Sequence, residues 1–267
     1  MMLRNLSLAC TLYLFSAQAA TFGDTDRFIP LIHDGGGWST QITIINLSSK
    51  NATVLTSFMT ARGFAENWKV ELKATQGKVN GPNVESLPGP GATTIIETSG
   101  KPADLARGFA DITELQDQPL GAVARLTKTE NGLIVQSFTV PLSPANESRS
   151  VVPVDLTDAN AALELIWVSP TNSTTLDIAF RKDSGEIAFT DTLTFNGAMQ
   201  IFTKPLEIWP QIAGLRGAFE WKVSFPNADR YEYRFLSGLS ILSRAGQIWA
   251  AVPPMTLKAD QLKTSPY

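Results

Sequence analysis

Residues 32–46 read IHDGGGWSTQITIIN and carry the clearest structural pattern in the chain. Gly35–Gly37 can adopt positive φ angles without strain, and Asp34 can accept backbone hydrogen bonds, which is typical of a turn. The following residues alternate, with one side made of Trp38, Thr40, Ile42 and Ile44. A period of two is typical of a half-buried strand. The stretch therefore predicts a turn that opens the first core strand of a β-sheet.

Similar strand-like runs continue along the chain, separated by turns rich in glycine, proline and asparagine. Examples are GAVARLTKT (121–129), GLIVQSFTVP (132–141) and GAFEWKVSF (217–225). Only KPADLARG (101–108) and PLEIWPQIAGLRG (205–217) look briefly helical. Many short strands with such turns predict an all-β fold of the sandwich type.

The two halves of the chain share a pattern that indicates an internal repeat. Residues 30–63 and 153–185 each run from a proline through a turn, two strands and a glycine turn. Further on, residues 105–108 (LARG) match residues 214–217 (GLRG) in position. The sequence thus predicts two tandem immunoglobulin-like antiparallel β-sandwich domains, at 20–145 and 146–257, with a C-terminal tail at 258–267.

Residues 1–19 have the features of a secretory signal peptide. Arg4 supplies the positive charge, Leu6–Phe15 form a short apolar run, and Ala17-Gln18-Ala19 is a small-residue cleavage site. The protein is therefore expected to be secreted, to the periplasm, the cell surface or the extracellular space. Cys10, the only cysteine, lies in this segment, so the remaining chain is expected to lack disulfides and thiolate chemistry.

The charge of the chain argues against a nucleic-acid partner, and its hydropathy argues against a transmembrane helix. The chain has 22 basic and 25 acidic residues, a net charge of −3, and no basic stripe of the kind that nucleic-acid binding requires. After the signal, no stretch of about twenty apolar residues predicts a transmembrane helix. The oligomeric state is left open.

The motif Asp34-Gly35-Gly36-Gly37-Trp38-Ser39-Thr40, followed by a strand that ends at Asn46, resembles a tandem module of secreted proteins from soil bacteria. The second module of that family is similar to the stretch from Trp209-Pro210 to Leu215-Arg216-Gly217. The resemblance covers most of the chain and implies a bacterial, exported, paired β-sandwich. It implies no reaction, because the family is uncharacterised. His33 departs from the family pattern, so no role for it is inherited.

The stretch HDGGGW also resembles two catalytic or binding loops, and both readings fail. An esterase oxyanion hole needs a Gly-x-Ser-x-Gly elbow and a second histidine, but the elbow is absent and His33 is the only histidine. A phosphate loop leads into a helix, whereas this loop leads into a strand. A structural turn is favoured, and a ligand loop formed by His33, Asp34 and Gly35–Gly37 stays open as the alternative.

Metal, carboxylate and aromatic chemistry give weaker candidates. Calcium could bind at Asp24 and Asp26 or at Asp155 and Asp158, but their spacing is far from that of an EF-hand loop, so no metal site and no cofactor are predicted. A glycosidase would need two of the many acids, such as Glu71, Glu97, Asp111, Glu114, Asp191 and Glu220. Trp68 and Trp209 lie in less apolar contexts than the other tryptophans and are the better candidates for sugar stacking, although packing in the core is favoured for them as well.

The sequence therefore favours an exported, non-enzymatic binding or structural module at the cell surface or in the extracellular space. Its partner is expected to be a polysaccharide or another surface protein. The expected ligand-binding residues are His33, Asp34, Gly35, Gly36, Gly37, Trp68 and Trp209. No catalytic residue is assigned. The alternative is a secreted carbohydrate-active hydrolase that uses a carboxylate pair in a cleft between the domains.

Overall fold

The structure is a computed structural model that describes residues 26–63, 66, 68–144, 149–169, 173–196, 199–224 and 237–256. The predicted signal peptide (1–19) and the predicted tail (258–267) lie outside the described residues. Strands make up 66% of the described residues and helices 3%, which confirms the all-β prediction. Among these residues, no helix combines the length and the apolar character that crossing a membrane requires.

The first half, residues 26–144, contains eleven strands in two antiparallel sheets. The strands are β1 (Asp26–Asp34), β2 (Trp38–Asn46), β3 (Val54–Thr60), β4 (Leu72–Ala74), β5 (Lys78–Asn80), β6 (Asn83–Ser86), β7 (Thr93–Thr98), β8 (Ala106–Glu114), β9 (Leu120–Glu130), β10 (Leu133–Pro141) and β11 (Ser143–Pro144). Sheet I has the order β11-β1-β8-β3-β6-β5, and sheet II has the order β10-β9-β2-β7-β4.

The second half, residues 149–256, contains nine strands in two further antiparallel sheets. The elements are β12 (Arg149–Asp155), β13 (Ala161–Val168), β14 (Ser173–Lys182), β15 (Ile187–Asn196), β16 (Gln200–Thr203), helix α1 (Pro205–Ile208), a 3-10 turn (Pro210–Ile212), β17 (Arg216–Ser224), β18 (Ser237–Arg244), β19 (Gln247–Val252) and β20 (Met255–Thr256). Sheet III has the order β15-β14-β17-β12-β20, and sheet IV has the order β16-β13-β18-β19.

The two halves have the same strand order. When β1 is matched with β12 and β2 with β13, sheet I without β5 reproduces sheet III, and sheet II without β4 reproduces sheet IV. Gly108 and Gly217 occupy equivalent register positions, because each lies between the first and third strands of its half. At both glycines a Cβ would lie 2.0 Å from a backbone oxygen of the neighbouring strand. The repeated LARG and GLRG sequences thus mark equivalent points of close strand approach.

The glycine stretch is a corner between two sheets, as the turn prediction required. Gly35 and Trp38 exchange hydrogen bonds, with N···O distances of 2.9 and 3.0 Å, and Gly36 and Gly37 between them have φ angles of 58° and 83°. Positive φ at both central residues is the geometry of a type I′ turn, which glycine adopts without strain. The corner passes the chain from β1 in sheet I to β2 in sheet II.

Two expectations about elements were wrong. The stretch from Trp38 to Asn46 is the second strand of the half rather than the first, because β1 precedes the corner. Residues 101–105 form no helix. The carbonyl of Pro102 accepts a hydrogen bond from the Gly36 amide instead, at 2.9 Å, so this loop packs on the glycine corner.

Each half encloses its own hydrophobic core between its two sheets. The first core includes Ile42 and Ile44 of β2 with Ala110 and Ile112 of β8. The second core includes Leu165 and Trp167 of β13 with residues such as Phe219 and Trp221 of β17. Trp167 and Trp221 meet edge to face, with ring centroids 5.9 Å apart. Burial of large aromatic side chains supplies much of the stabilisation of cores of this size.

The halves are joined where the outer face of sheet IV packs against sheet I, and where β19 of sheet IV lies beside β10 at the edge of sheet II. Phe28, Met59 and Phe109 of sheet I form one buried cluster with Val168 and Met199 of the second half. Ile166, Leu239 and Ile241 of sheet IV pack against the first core. Sheet IV is therefore covered on both faces, and the described residues at this joint are largely apolar and packed.

Candidate functional site

Two adjoining hollows lie on the outer face of sheet II, the face turned away from the first core. Their volumes are about 270 and 190 Å³, and both are lined by Gln41 and Glu97. The larger hollow also contacts Arg125 and Ile134, and the smaller one contacts Lys73. Both hollows are open to solvent and too shallow to enclose a ligand. A ligand on this face would therefore lie across its surface.

The alternation in β2 explains why polar side chains reach this face. Trp38, Thr40, Ile42 and Ile44 are buried, so the intervening residues of β2 point outward. Gln41 lies opposite Arg125 of β9 on one side and Glu97 of β7 on the other, and Glu97 lies opposite Lys73 of β4. Arg125, Gln41, Glu97 and Lys73 thus form a cross-strand row, with one side chain every ~4.8 Å.

The cross-strand row offers hydrogen-bond donors and acceptors in alternation. The Gln41 Nε2 amide donates to Glu97 Oε1 at 2.6 Å, and Arg125 Nε donates to Ser137 Oγ at 3.0 Å. The row therefore combines two cations, one anion and one amide in an exposed setting. These groups can orient a polar ligand, but they form no pair of nucleophile and base of the kind that catalysis requires.

An apolar corner borders the larger hollow. Ile134 lines the hollow, and its neighbours Leu133 and Val135 are exposed with it. These three residues follow the Asn131-Gly132 turn at the free end of the β9–β10 hairpin. A group of exposed apolar side chains beside polar ones is a feature of contact surfaces rather than of ordinary solvated strands.

His33, an expected ligand residue, is buried and lies in neither hollow. Its side chain is 3% exposed and meets Trp38 edge to face, with ring centroids 5.0 Å apart. Burial, followed by the positive charge of Arg107, lowers the pKa of His33 to about 3. The imidazole is therefore neutral near pH 7 and packs as part of the first half's interior.

Asp34 and the three glycines form the sheet corner and its contacts. Asp34 is buried, and its Oδ1 accepts a hydrogen bond from the Gly100 amide at 2.8 Å. Gly35 is also buried, and a Cβ there would lie 2.3 Å from the Asp104 carbonyl oxygen. Only Gly36 and Gly37 face solvent. Asp34 and Gly35 thus pack tightly against residues 100–104 and support the start of β2, which agrees with the favoured turn interpretation.

Trp68 and Trp209 are buried, in agreement with the favoured packing interpretation, so neither ring is exposed for sugar stacking. Their side chains are 7% and 4% exposed. Trp68 packs in the first core, and Trp209 packs in the second, stacked on Phe189 with ring centroids 5.2 Å apart. The Trp209 Nε1–H group donates to Asp191 Oδ2 at 2.6 Å. Polar flanking residues did not indicate an exposed ring at either position, because a tryptophan can bury its ring while its neighbours stay in solvent.

Most of the acids considered for a hydrolase have a structural partner. Glu114 is buried and accepts three backbone hydrogen bonds, from Thr53, Gln116 and Gln118. Glu71 pairs with Lys101, Glu97 with Gln41, and Asp191 with Trp209. Glu71 and Asp191 thus have partners within the fold, whereas Glu97 belongs to the exposed cross-strand row.

Glu220, another of these acids, forms ion pairs with two arginines. Burial raises the pKa of Glu220, but hydrogen bonds and charge from Arg181 and Arg149 outweigh it and hold that pKa below its ordinary range. The Arg181 Nε–Glu220 Oε1 distance is 2.7 Å, and the Arg149 Nη2–Glu220 Oε2 distance is 3.1 Å. Glu220 is thus an ionised link between β12, β14 and β17.

The carboxylates considered for calcium also serve local structure. Asp155 accepts hydrogen bonds from the backbone and hydroxyl of Thr157, and Asp158 binds Arg244 at 2.8 Å. Asp24 lies outside the described residues. Within the described ranges, no group of three or more histidine, cysteine, aspartate or glutamate side chains comes together.

The cross-strand row was not predicted from the sequence, although the sequence does indicate which residues of β2 point outward. The same alternation that marks the buried side of β2 marks Ser39, Gln41 and Thr43 as its outward side. The pairing partners of β2 are distant in sequence, so nothing local indicated that Arg125 and Glu97 flank Gln41. Comparison with protein-family models, with curated proteins and with solved structures finds no match for this chain.

Proposed function

We propose that this chain is an exported, non-catalytic binding module of two immunoglobulin-like domains that acts at the cell surface or in the extracellular space. Its contact surface is the outer face of sheet II, made of the cross-strand row and the apolar corner at residues 133–135. The single observation that supports this is that the exposed Ile134 lines the same hollow as Gln41, Glu97 and Arg125 of the polar row.

The partner that this surface fits best is another surface protein. Protein interfaces combine an apolar centre with a polar rim, and exposed Leu133, Ile134 and Val135 beside Arg125 match that composition. Polysaccharides are usually held by flat aromatic rings, and the described residues that line the two hollows include no aromatic side chain. The buried positions of Trp68 and Trp209 remove the two rings that the sequence suggested.

A binding experiment with matched variants tests the proposal. The purified protein is offered to a surface-protein fraction of its source cells and, separately, to a glycan array. We expect a specific protein to be retained, and its retention to fall at least tenfold in the variants Arg125→Ala and Ile134→Ser. The control Ile208→Ser changes another exposed isoleucine, on helix α1, and should retain the partner. Retention that is equal in all three variants would place the contact surface elsewhere.

The glycan array separates the two partner classes. Binding of a glycan that Arg125→Ala abolishes would replace the protein partner with a polysaccharide on the same face. Release of reducing sugar ends from any polysaccharide would contradict a non-catalytic module and would support the hydrolase alternative.

A further inference from the structure

β15 is the one long edge strand of the described residues that has an open side. The edge strands β4, β5, β11, β16 and β20 contain between two and four residues each. β10 and β19 are longer, but they lie beside each other at the joint between the halves. β15 contains ten residues and, within the described ranges, pairs only with β14. Its other side therefore presents a row of backbone N–H and C=O groups to which a further strand can bond.

The corresponding edge of the first half is covered. β6 corresponds to β15 when the two halves are matched, and β5 pairs with β6 on its outer side. β4 and β5 lie in the long connection between β3 and β6, whereas only residues 183–186 separate β14 from β15. The described part of sheet III therefore lacks the strand that closes sheet I at this edge.

Alternate residues of β15 direct their backbone groups to the open side. The Thr192 amide donates to the Asp191 carboxylate at 2.8 Å, so this N–H group points away from β14. Successive residues of a strand point their backbone groups to opposite sides. Thr190 and Thr194 therefore point to the open side together with Thr192.

The side chains of β15 determine what kind of strand can be added. The outward side chains in the middle of the strand are exposed threonines: Thr190, Thr192 and Thr194. The inward side chains on either side of Asp191 pack on the second core: Phe189, Leu193 and Phe195. A strand added at this edge continues both faces, so it should alternate small polar side chains outward with apolar ones inward. β15 itself has this pattern.

A second copy of β15 fits the edge in an antiparallel arrangement with a two-fold axis at Thr192. Thr192 then lies opposite Thr192 of the second copy, and Thr190 lies opposite Thr194. On the inward face, Phe189 lies opposite Phe195. Threonine pairs and aromatic pairs are both stabilising when they lie directly opposite each other across two strands.

Asp191, the only charged residue of β15, distinguishes this register from its neighbours. With the axis at Thr192, Asp191 lies opposite Leu193 of the second copy, and the two carboxylates are diagonal to each other. An axis at Asp191 would place the two carboxylates directly opposite, which is destabilising. An axis at Leu193 would place each carboxylate against the buried Phe195.

We propose that β15 is a self-association site, at which a second copy of this chain adds its own β15 so that two five-stranded sheets become one continuous sheet. Asp191 keeps this association reversible, because in the single chain its carboxylate already accepts the Thr192 N–H group. The inference goes beyond the proposed binding function and is independent of it, because it uses no residue of sheet II.

Cysteine cross-linking tests both the site and the register. In a Cys10→Ser background, Thr192→Cys should form a disulfide-linked dimer under mild oxidation, since residues facing each other across the axis have Cα atoms about 5.5 Å apart. Thr194→Cys is the matched control on the same face of the same strand. Its two copies would lie about 14 Å apart, too far for a disulfide. Equal cross-linking of the two variants, or none in either, would overturn the proposal.

Sedimentation velocity over a range of concentrations tests the backbone pairing. We expect a wild-type dimer whose share rises with concentration, and a dissociation constant that Thr192→Pro raises at least about tenfold. Proline removes the N–H group on the open side and leaves the bonds to β14 in place. Thr192→Val keeps that N–H group and should dimerise like wild type. A wild type that stays monomeric at about 0.5 mM would overturn the proposal.

Asp191→Asn supplies an arm in which association increases. The amide oxygen can still accept the Trp209 N–H group, but the charge is removed and the Thr192 N–H group is released. The dimer should therefore be tighter than in wild type, and a weaker dimer would contradict the role given to Asp191. If wild type is monomeric and Thr192→Pro loses the partner retained from the surface-protein fraction, the edge binds another protein and the second copy is excluded.

Discussion

His33 is a buried base that must stay neutral for the first half to remain packed against Trp38. Its pKa is about 3 in the fold, against an ordinary 6.5. Between those pH values the unfolded chain binds a proton that the folded chain does not, so the free energy of unfolding falls as the pH falls. The slope is about 1.4 kcal/mol per pH unit, and the loss stops near pH 3.

The variant His33→Phe should remove this part of the acid sensitivity while it keeps a ring against Trp38. Urea denaturation at pH 7 and pH 4.5 would show a smaller stability loss in the variant than in wild type. Since His33 is the only histidine, NMR titration of its ring protons gives the pKa directly. A measured pKa near 6.5, or equal acid sensitivity in both proteins, would contradict the prediction.

Gly35 is expected to be the least replaceable residue of the glycine corner. Its φ is 85°, and a Cβ would lie 2.3 Å from Asp104 O and 2.8 Å from Pro102 Cβ. Gly35→Ala should therefore destabilise the protein by about 3 kcal/mol or more, through backbone strain and overlap together. Gly185→Ala is the matched control, because φ there is 87° and nothing lies within 4 Å of the added Cβ. The control therefore measures backbone strain alone, which we expect to cost about 1 kcal/mol. Both variants are compared with wild type by thermal denaturation. Equal losses of stability would contradict a steric overlap at Gly35.

At the scale of elements, strand ends in the first half depend on single buried side chains. Glu114 accepts backbone N–H groups from Thr53, Gln116 and Gln118, at 3.1, 2.8 and 2.6 Å. Glu114→Gln keeps the shape but turns one acceptor atom into a donor that faces other donors. We expect a loss of about 2–3 kcal/mol, measured by urea denaturation. The same change at exposed Glu97 should cost less than 0.5 kcal/mol, and equal losses at both positions would argue against the capping role.

Strands with one solvated face were predictable, and strands covered on both faces were not. β2 alternates because its outer side faces solvent, so its period of two is visible in the sequence. β1 was missed because Phe28, Ile29 and Ile32 are all buried, some in the first core and some at the joint. A strand that is covered on both faces has no alternation of apolar and polar residues. Pro30 within β1 also suggested a turn, because proline is rare inside strands.

The candidate site could be anticipated only in part, for a related reason. The sequence could place Gln41 on the outward side of β2, but the row that it forms with Arg125, Glu97 and Lys73 depends on pairings across 24 to 84 residues of chain. Five of the seven predicted ligand residues were chosen within one short stretch, residues 33–37. His33 and Asp34 are instead used to build the corner.

At the scale of the whole molecule, the joint between the halves determines how they unfold. Gln200 Nε2 donates to the carbonyls of Pro30 at 2.8 Å and Gly108 at 2.9 Å, and Val168 packs against Phe28 and Phe109. A large apolar joint couples domains that would otherwise unfold separately. We therefore expect one cooperative transition in scanning calorimetry of the wild-type protein.

The double variant Val168→Ser and Gln200→Ala should uncouple the halves. It leaves two buried carbonyls unpaired and removes apolar contact at the joint, so two resolved transitions are expected. The control Val123→Ser changes a half-exposed valine on the free face of sheet II and should keep a single transition. Two transitions in wild type, or one in the double variant, would show that the joint does not couple the halves.

Because the two halves have the same strand order, it is possible to ask whether they meet through matching sheets. Sheet IV meets sheet I at the joint, and β19 of sheet IV also lies beside β10 of sheet II. Sheets I and IV are not matching sheets of the two halves, so the contact is heterologous. The outer face of sheet II is the counterpart of the face through which sheet IV holds the first half. On sheet IV that face carries Ile166 and Leu239, whereas on sheet II it carries Gln41 and Arg125. Matching faces of the two halves thus differ in character, since the one on sheet IV is apolar and buried at the joint, whereas the one on sheet II is polar and open to solvent.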